Sequence, residues 1–180
     1  MISSLDFVKK IVPNSKVKIL SQNTGPSYAS DGGPSQKEIV GSRSYSLAYV
    51  EDLGVDDVWT EYGARGNGVV VAVLDTGVNP NHYSLDDLDD DPNTFDPKII
   101  AFKDFINDFE DLDPSDGIDA YDDNGHGTEV SSVIAGTGAP DYNYSGIAPM
   151  AKIVALKILY ENGTGGNADL IAALQWCIDH

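Results

Sequence analysis

Val69-Val-Val-Ala-Val-Leu74-Asp75-Thr76-Gly77 decides the architecture of this chain. The six apolar residues follow a turn pair, Asn67-Gly68, and form a run too short for a helix of ordinary length. A short, unbroken apolar run is the pattern of a strand buried on both faces, and such strands belong to parallel sheets. Asp75 closes the run, so an acid stands at the carboxyl end of a parallel strand with a small, flexible turn behind it. Ligands and catalytic groups of open α/β sheets collect at that edge. Taken alone, Asp-Thr-Gly is also ordinary turn chemistry, and the same tripeptide serves acid pairs that share one proton.

Working outward, Val55, Val58, Trp59 and Tyr62 share one face of a short helix that Gly63 and Gly66 stop. Further strands are expected at Ile99-Ile-Ala-Phe102 and at Ile153-Val-Ala-Leu-Lys-Ile-Leu159. Between them Val130, Val133 and Ile134 take helical spacing, ending at Gly136. Strand, helix and strand make a βαβ unit with a right-handed crossover. A last helix runs from the N-cap candidate Asn167 through Leu170, Ile171, Leu174 and Ile178, with no stop signal before His180. That helix should lead to another strand, and the strand at 153–159 should be an unpaired edge. The chain therefore reads as the first part of a larger α/β domain.

Residues 1–45 read differently. A mixed segment, Phe7 to Leu20, gives way to Ser21-Gln-Asn-Thr-Gly-Pro-Ser and Asp31-Gly-Gly-Pro-Ser, which are turn or linker chemistry. They are assigned to an N-terminal extension, linker or propeptide remnant, and 46–180 to the α/β domain. The opening Met-Ile-Ser-Ser-Leu-Asp-Phe lacks the basic-then-apolar pattern of a secretory signal, and no apolar run reaches the roughly 20 residues of a membrane span. Cys177 has no partner for an internal disulfide and is placed in the core beside Leu174 and Ile178.

Charge excludes two classes of partner. With 29 acidic against 11 basic residues the formal net charge is −18, which opposes association with nucleic acid or an anionic membrane. Much of the acid lies between Asp86 and Asp123, amid Pro, Asn and Gly. Such a stretch reads first as solvated surface and second as a set of calcium ligands.

The second chemical feature is Asp122-Asp-Asn-Gly-His126-Gly-Thr128, a histidine between two glycines at the start of a helix. Glycines leave an imidazole uncrowded and let backbone approach, which suits a general base. A base of this kind needs an acid to hold its tautomer, and Asp75 supplies a candidate.

These two segments resemble the signature motifs of the subtilisin-like (subtilase) family of serine proteases. Two more blocks agree: Gly146-Ile-Ala-Pro149 with the strand after it, and the helix at Ile171 to Ile178. The resemblance covers about residues 55–180 and implies an α/β fold with a mostly parallel sheet and helices on both faces, incomplete in this chain. It implies hydrolysis of peptide bonds through an Asp/His/Ser triad, with Asp75 as the orienting acid and His126 as the general base. It also implies an oxyanion asparagine and a Gly-Thr-Ser-Met segment further on. Neither occurs by His180, so the 180 residues alone are expected to be inactive.

By the same resemblance Gly163-Thr164-Gly165 forms an edge strand that pairs with bound peptide, and Leu159 lines a subsite. A plain turn is the competing reading of this glycine-rich stretch. No cofactor is required for the chemistry; structural calcium is allowed, with no ligand set assigned, because Ser84 stands where many relatives carry a calcium-binding aspartate. Glu129 and Ser132 depart from the family's small residues, and Ser132 could bond back to its helix. Asn143-Tyr-Ser145 and Asn162-Gly-Thr164 fit the glycosylation pattern. The family habit implies secretion and protein or peptide substrates. A non-catalytic relative used for binding, or an acidic calcium-binding module, is the rival reading; an aspartic protease built on Asp75 leaves His126 without a role.

Overall fold

In a computed structural model of the chain, which describes residues 16–18, 50, 53–91, 93–140 and 144–180, the apolar run becomes the strand Val70–Asp75 (β2). The chain order is β1 (Lys16–Lys18), α1 (Val55–Glu61), β2, β3 (Ile99–Asp104), β4 (Phe109–Asp111), α2 (His126–Ala135), β5 (Lys152–Lys157), β6 (Thr164–Gly166) and α3 (Asn167–Asp179). The expected boundary at residue 45, the two turn-rich stretches before it and Asn143 lie outside the described residues.

Four strands form one sheet in the order β2-β5-β3-β4. The first three are parallel, and β4 runs antiparallel to β3. The expectation that the strand at 153–159 is an edge is overturned: β5 is central, bonded to β2 from Val70↔Lys152 to Asp75↔Lys157 and to β3 on its other side. Burial explains the order. Ile153, Ala155 and Leu156 of β5 are at most 1% exposed, whereas Val69 and Val70 at the start of β2 are half exposed. The well-buried strands β5 and β3 lie inside, and among the described residues β2 and β4 are the two outer strands.

β4 has no apolar alternation to announce it. Its hairpin turns through Asp108 at φ 54 and is fastened by Lys103, whose Nζ reaches Asp108 Oδ1 at 3.0 Å. Aspartate tolerates that left-handed backbone better than most residues.

Side chains alternate across the sheet into two cores. Val71, Val73, Ile153 and Ala155 pack with Val130, Ile134 and Ala135 of α2. Leu74, Val154 and Leu156 pack with Leu170, Ala173 and Trp176 of α3. One helix thus lies on each face. Cys177 is exposed rather than core, because α3 turns Ala173 and Trp176 to the sheet and leaves Leu174, Cys177 and Ile178 outside.

Candidate active site

β2 ends at Asp75 and α2 begins at His126, and the two cores seat both termini at the same end of the sheet. His126 Nδ1 lies 2.8 Å from Asp75 Oδ1 and 2.9 Å from Oδ2. Asp75 is 8% exposed, and its Oδ1 also accepts the Thr76 amide at 2.7 Å.

Backbone proximity makes this contact reachable. A Cβ on Gly127 would stand 2.1 Å from the Gly77 carbonyl oxygen, and a Cβ on Gly77, at φ 124, would stand 2.1 Å from the Tyr121 carbonyl oxygen. The glycines are therefore where main chain meets main chain. Gly125 is different: with φ 98 and open space around it, it serves the left-handed turn into α2.

Sequence reading gave no role to Thr76 or Asp122, yet together they join the two motifs. The Thr76 hydroxyl, fully buried, donates to Asp122 Oδ1 at 2.8 Å and accepts from the Gly127 amide at 2.9 Å. Asp122 Oδ1 also accepts from the Gly125 amide, and its Oδ2 accepts from the Thr128 amide and hydroxyl at 2.8 and 2.6 Å. Burial alone would raise its carboxyl, but the donors from Thr128, Gly125 and Thr76 outweigh that and hold it below the usual carboxylate range. The signal available beforehand was an acid six residues ahead of a threonine in the first turn of a helix.

The expected substrate residues also lie together. Tyr160 and Gly163 close a turn, with Gly163 at φ 70, and Leu159 bridges Gly165 in antiparallel fashion. A Cβ on Gly165 would meet the Ile158 carbonyl oxygen at 2.2 Å, so this glycine is a packing requirement and more than a flexible turn. Leu159 is 3% exposed and packs into the α3 core. On β6, Thr164 to Gly166 pair antiparallel with Lys18 to Lys16.

The acidic stretch divides into satisfied and clustered groups. Asp104 accepts from Asn107 and the Tyr121 hydroxyl, and although burial opposes it, those bonds keep its carboxyl low. Asp87, Asp89 and Asp96 bring ligand oxygens within 4.8 Å of one another. Ser84 is buried, its Oγ accepting the Gly138 amide, so it ties loops together. Ser132 Oγ donates back to Thr128 O at 2.9 Å, as expected. Asn162 is occupied in its own turn, accepting from the Thr164 amide and hydroxyl.

A parallel sheet carrying an Asp–His pair at its carboxyl edge is the arrangement of a subtilisin-like domain, and the subtilase family model matches residues 66–180. The chain belongs to the subtilase family. Serine protease AprX of Bacillus subtilis is 38% identical over 116 residues, covering 64% of this chain and 22% of AprX. Bacillopeptidase F of the same organism is 30% identical over 172 residues, covering 95% of this chain and 11% of its own length. The chain thus spans under a quarter of these relatives. The structure of the CspB protease of Clostridium perfringens superposes with a TM-score of 0.59 at 23% identity, over 69% of this chain and 29% of that one, which supports the fold.

Proposed function

We propose that the protein containing this chain is a serine endopeptidase, with Asp75 as the orienting acid and His126 as the general base. The observation that carries the reading is the Asp75–His126 hydrogen bond at 2.8 Å. A carboxylate that accepts the Nδ1 proton leaves Nε2 with the free lone pair. His126 then takes the proton from a serine hydroxyl as its oxygen attacks the peptide carbonyl. It returns that proton to the leaving amine, and water hydrolyses the acyl-enzyme by the same route.

Peptide substrates bind as an added strand along Gly163-Thr164-Gly165, with Leu159 at the base of a subsite. The β6 edge accepts a strand from Lys16–Lys18, which supports its capacity for strand addition. Residues 1–45 are proposed as an extension outside the catalytic domain. The net charge of −18 keeps nucleic acid and anionic membranes out of the partner set, and among the described residues no helix is long and apolar enough to cross a membrane. We propose export as the destination, and Asp87, Asp89 and Asp96 as the residues that would hold a structural calcium; the chemistry itself uses none.

The test is hydrolysis of a denatured protein by the full-length protein, with and without a serine-directed sulfonyl fluoride and with His126→Ala. Loss of turnover in both arms is expected. Turnover that survives both would overturn the reading in favour of a non-proteolytic family member.

A further inference from the structure

β5 holds four apolar residues between two lysines, and the second, Lys157, is 1% exposed. A buried ammonium costs several kcal/mol unless each of its protons finds an acceptor. Here all three do. Lys157 Nζ donates to the Thr76 carbonyl at 2.6 Å, to Asp123 Oδ1 at 2.7 Å and to the Leu159 carbonyl at 2.8 Å. The face of Tyr121 closes the site, its ring centroid 5.3 Å from Nζ.

Those acceptors belong to three different segments. Thr76 follows the acid Asp75 directly; Asp123 lies in the loop that ends at His126; Leu159 leads into the turn before β6. Lys157 itself is in register with Asp75 across the β2–β5 ladder. The backbone adds to the link, since the amides of Ile158 and Leu159 both donate to the Asp75 carbonyl at 2.9 and 3.2 Å. From Leu159 the bridge to Gly165 continues the path to β6. A second tie between the histidine loop and the same turn, Asn124 Nδ2 to Glu161 O at 2.6 Å, is exposed to water. Burial makes the Lys157 junction the more costly to break.

We infer that Lys157 is a positioning residue that fixes the peptide-binding strand relative to the Asp75–His126 pair. The inference rests on the peptidase reading above. An apolar side chain of similar length would fill the volume without the cost of burying charge, but it would leave the three segments to find their own spacing. Binding energy gathered along β6 reaches the scissile bond only if strand and catalytic pair are held in one frame. A short substrate that never reaches β6 has no use for that frame.

The experiment compares two substrates of the full-length protein: a tetrapeptide amide that extends along β6, and a single-residue ester that reaches only the catalytic pair. His126→Ala must abolish both; if turnover survives it, the peptidase reading falls and this inference with it. In Lys157→Met, kcat/KM for the tetrapeptide should fall about 10-fold further than for the ester, collapsing the ratio between them. Asp123→Asn, which removes the one charged acceptor of the three and leaves the buried lysine in place, should lower the same ratio about 3-fold. A variant that merely folded less well would lose both activities in equal proportion. If Lys157→Met does not fold, Asp123→Asn decides. An unchanged ratio in every folded variant, with turnover dependent on His126, overturns the role of Lys157 and leaves the peptidase reading standing.

Discussion

His126 Nδ1 sits between the two carboxylate oxygens of Asp75, 2.8 Å from one and 2.9 Å from the other, across 51 residues of sequence. An amide in place of that carboxylate would offer one acceptor and one donor, and the donor would disturb the tautomer. Asp75→Asn in the full-length protein should therefore lower kcat by about 10⁴ at neutral pH while leaving the melting temperature within a few degrees of the parent. A loss below about tenfold in a steady-state assay would remove Asp75 from the mechanism.

The second prediction concerns Gly127. Its Cβ position lies 2.1 Å from the Gly77 carbonyl oxygen, and that neighbour is backbone, which cannot rotate away. Gly127→Ala should push α2 from the acid loop, costing upwards of about 2 kcal/mol in denaturant unfolding and most of the activity. Gly125→Ala meets open space but a φ of 98, and should cost about 1 kcal/mol with activity largely kept.

Asp122 offers a test by pH. Its donors hold the folded carboxyl below the ordinary value of 3.8, so its contribution to stability is complete above that value and is lost as pH falls through the folded pKa. Asp122→Ala should destabilise by about 2 kcal/mol at pH 6 and by clearly less near pH 2.5. Equal gaps between variant and parent at both pH values, measured by urea unfolding, would contradict this assignment.

Lys98 gives the same sign of pH dependence for the opposite reason, because folding disfavours its charged form. Burial lowers it from 10.5 to about 8, against the pull of Asp90, Asp87, Asp96 and Asp89, while its Nζ donates to the Pro149 carbonyl at 2.6 Å. Between pH 8 and 10.5 the unfolded chain would hold a proton on Lys98 that the folded chain has released, so folding gains stability as pH rises through that window. Thermal melts of the parent and of Lys98→Met should therefore shift in the parent's favour from pH 7.5 to 10. A difference independent of pH would show that Lys98 keeps its charge throughout.

Calcium gives the fifth. If Asp87, Asp89 and Asp96 hold an ion, millimolar calcium raises the melting temperature of the full-length protein, and Asp89→Asn together with Asp96→Asn cancels the rise. Calorimetry with no shift would leave these carboxylates as solvated surface.

The strand at Val70–Asp75, the helix after His126 and the pairing of Asp75 with His126 were legible because each has a local signature: an unbroken apolar run, helical spacing, and a motif with a chemical demand. Strand order was not legible, since no local pattern says that β5 rather than β2 takes the centre; that follows from which strand finds cover on both faces. β4 was missed because Phe109-Glu-Asp111 is held by its hairpin and by Lys103 rather than by apolar alternation. The roles of Thr76, Asp122 and Lys157 depend on contacts between segments up to 81 residues apart. For Lys157 the visible hint was a lysine within the apolar run 153–159.

The central place of β5 also sets how this molecule opens. Its amides and carbonyls are engaged by β2 on one side and β3 on the other, and its side chains are covered by both cores. Exchange of its buried amide protons with solvent then requires the sheet to come apart as a unit, not a local fraying. The turn before β6, with its exposed Tyr160 and Asn162, is covered on fewer sides, so its amides should exchange through local opening. Lys157 stands at the junction between these two regimes, its ammonium bonded to Thr76 at the end of β2 on one side and to Leu159 at the start of the turn before β6 on the other.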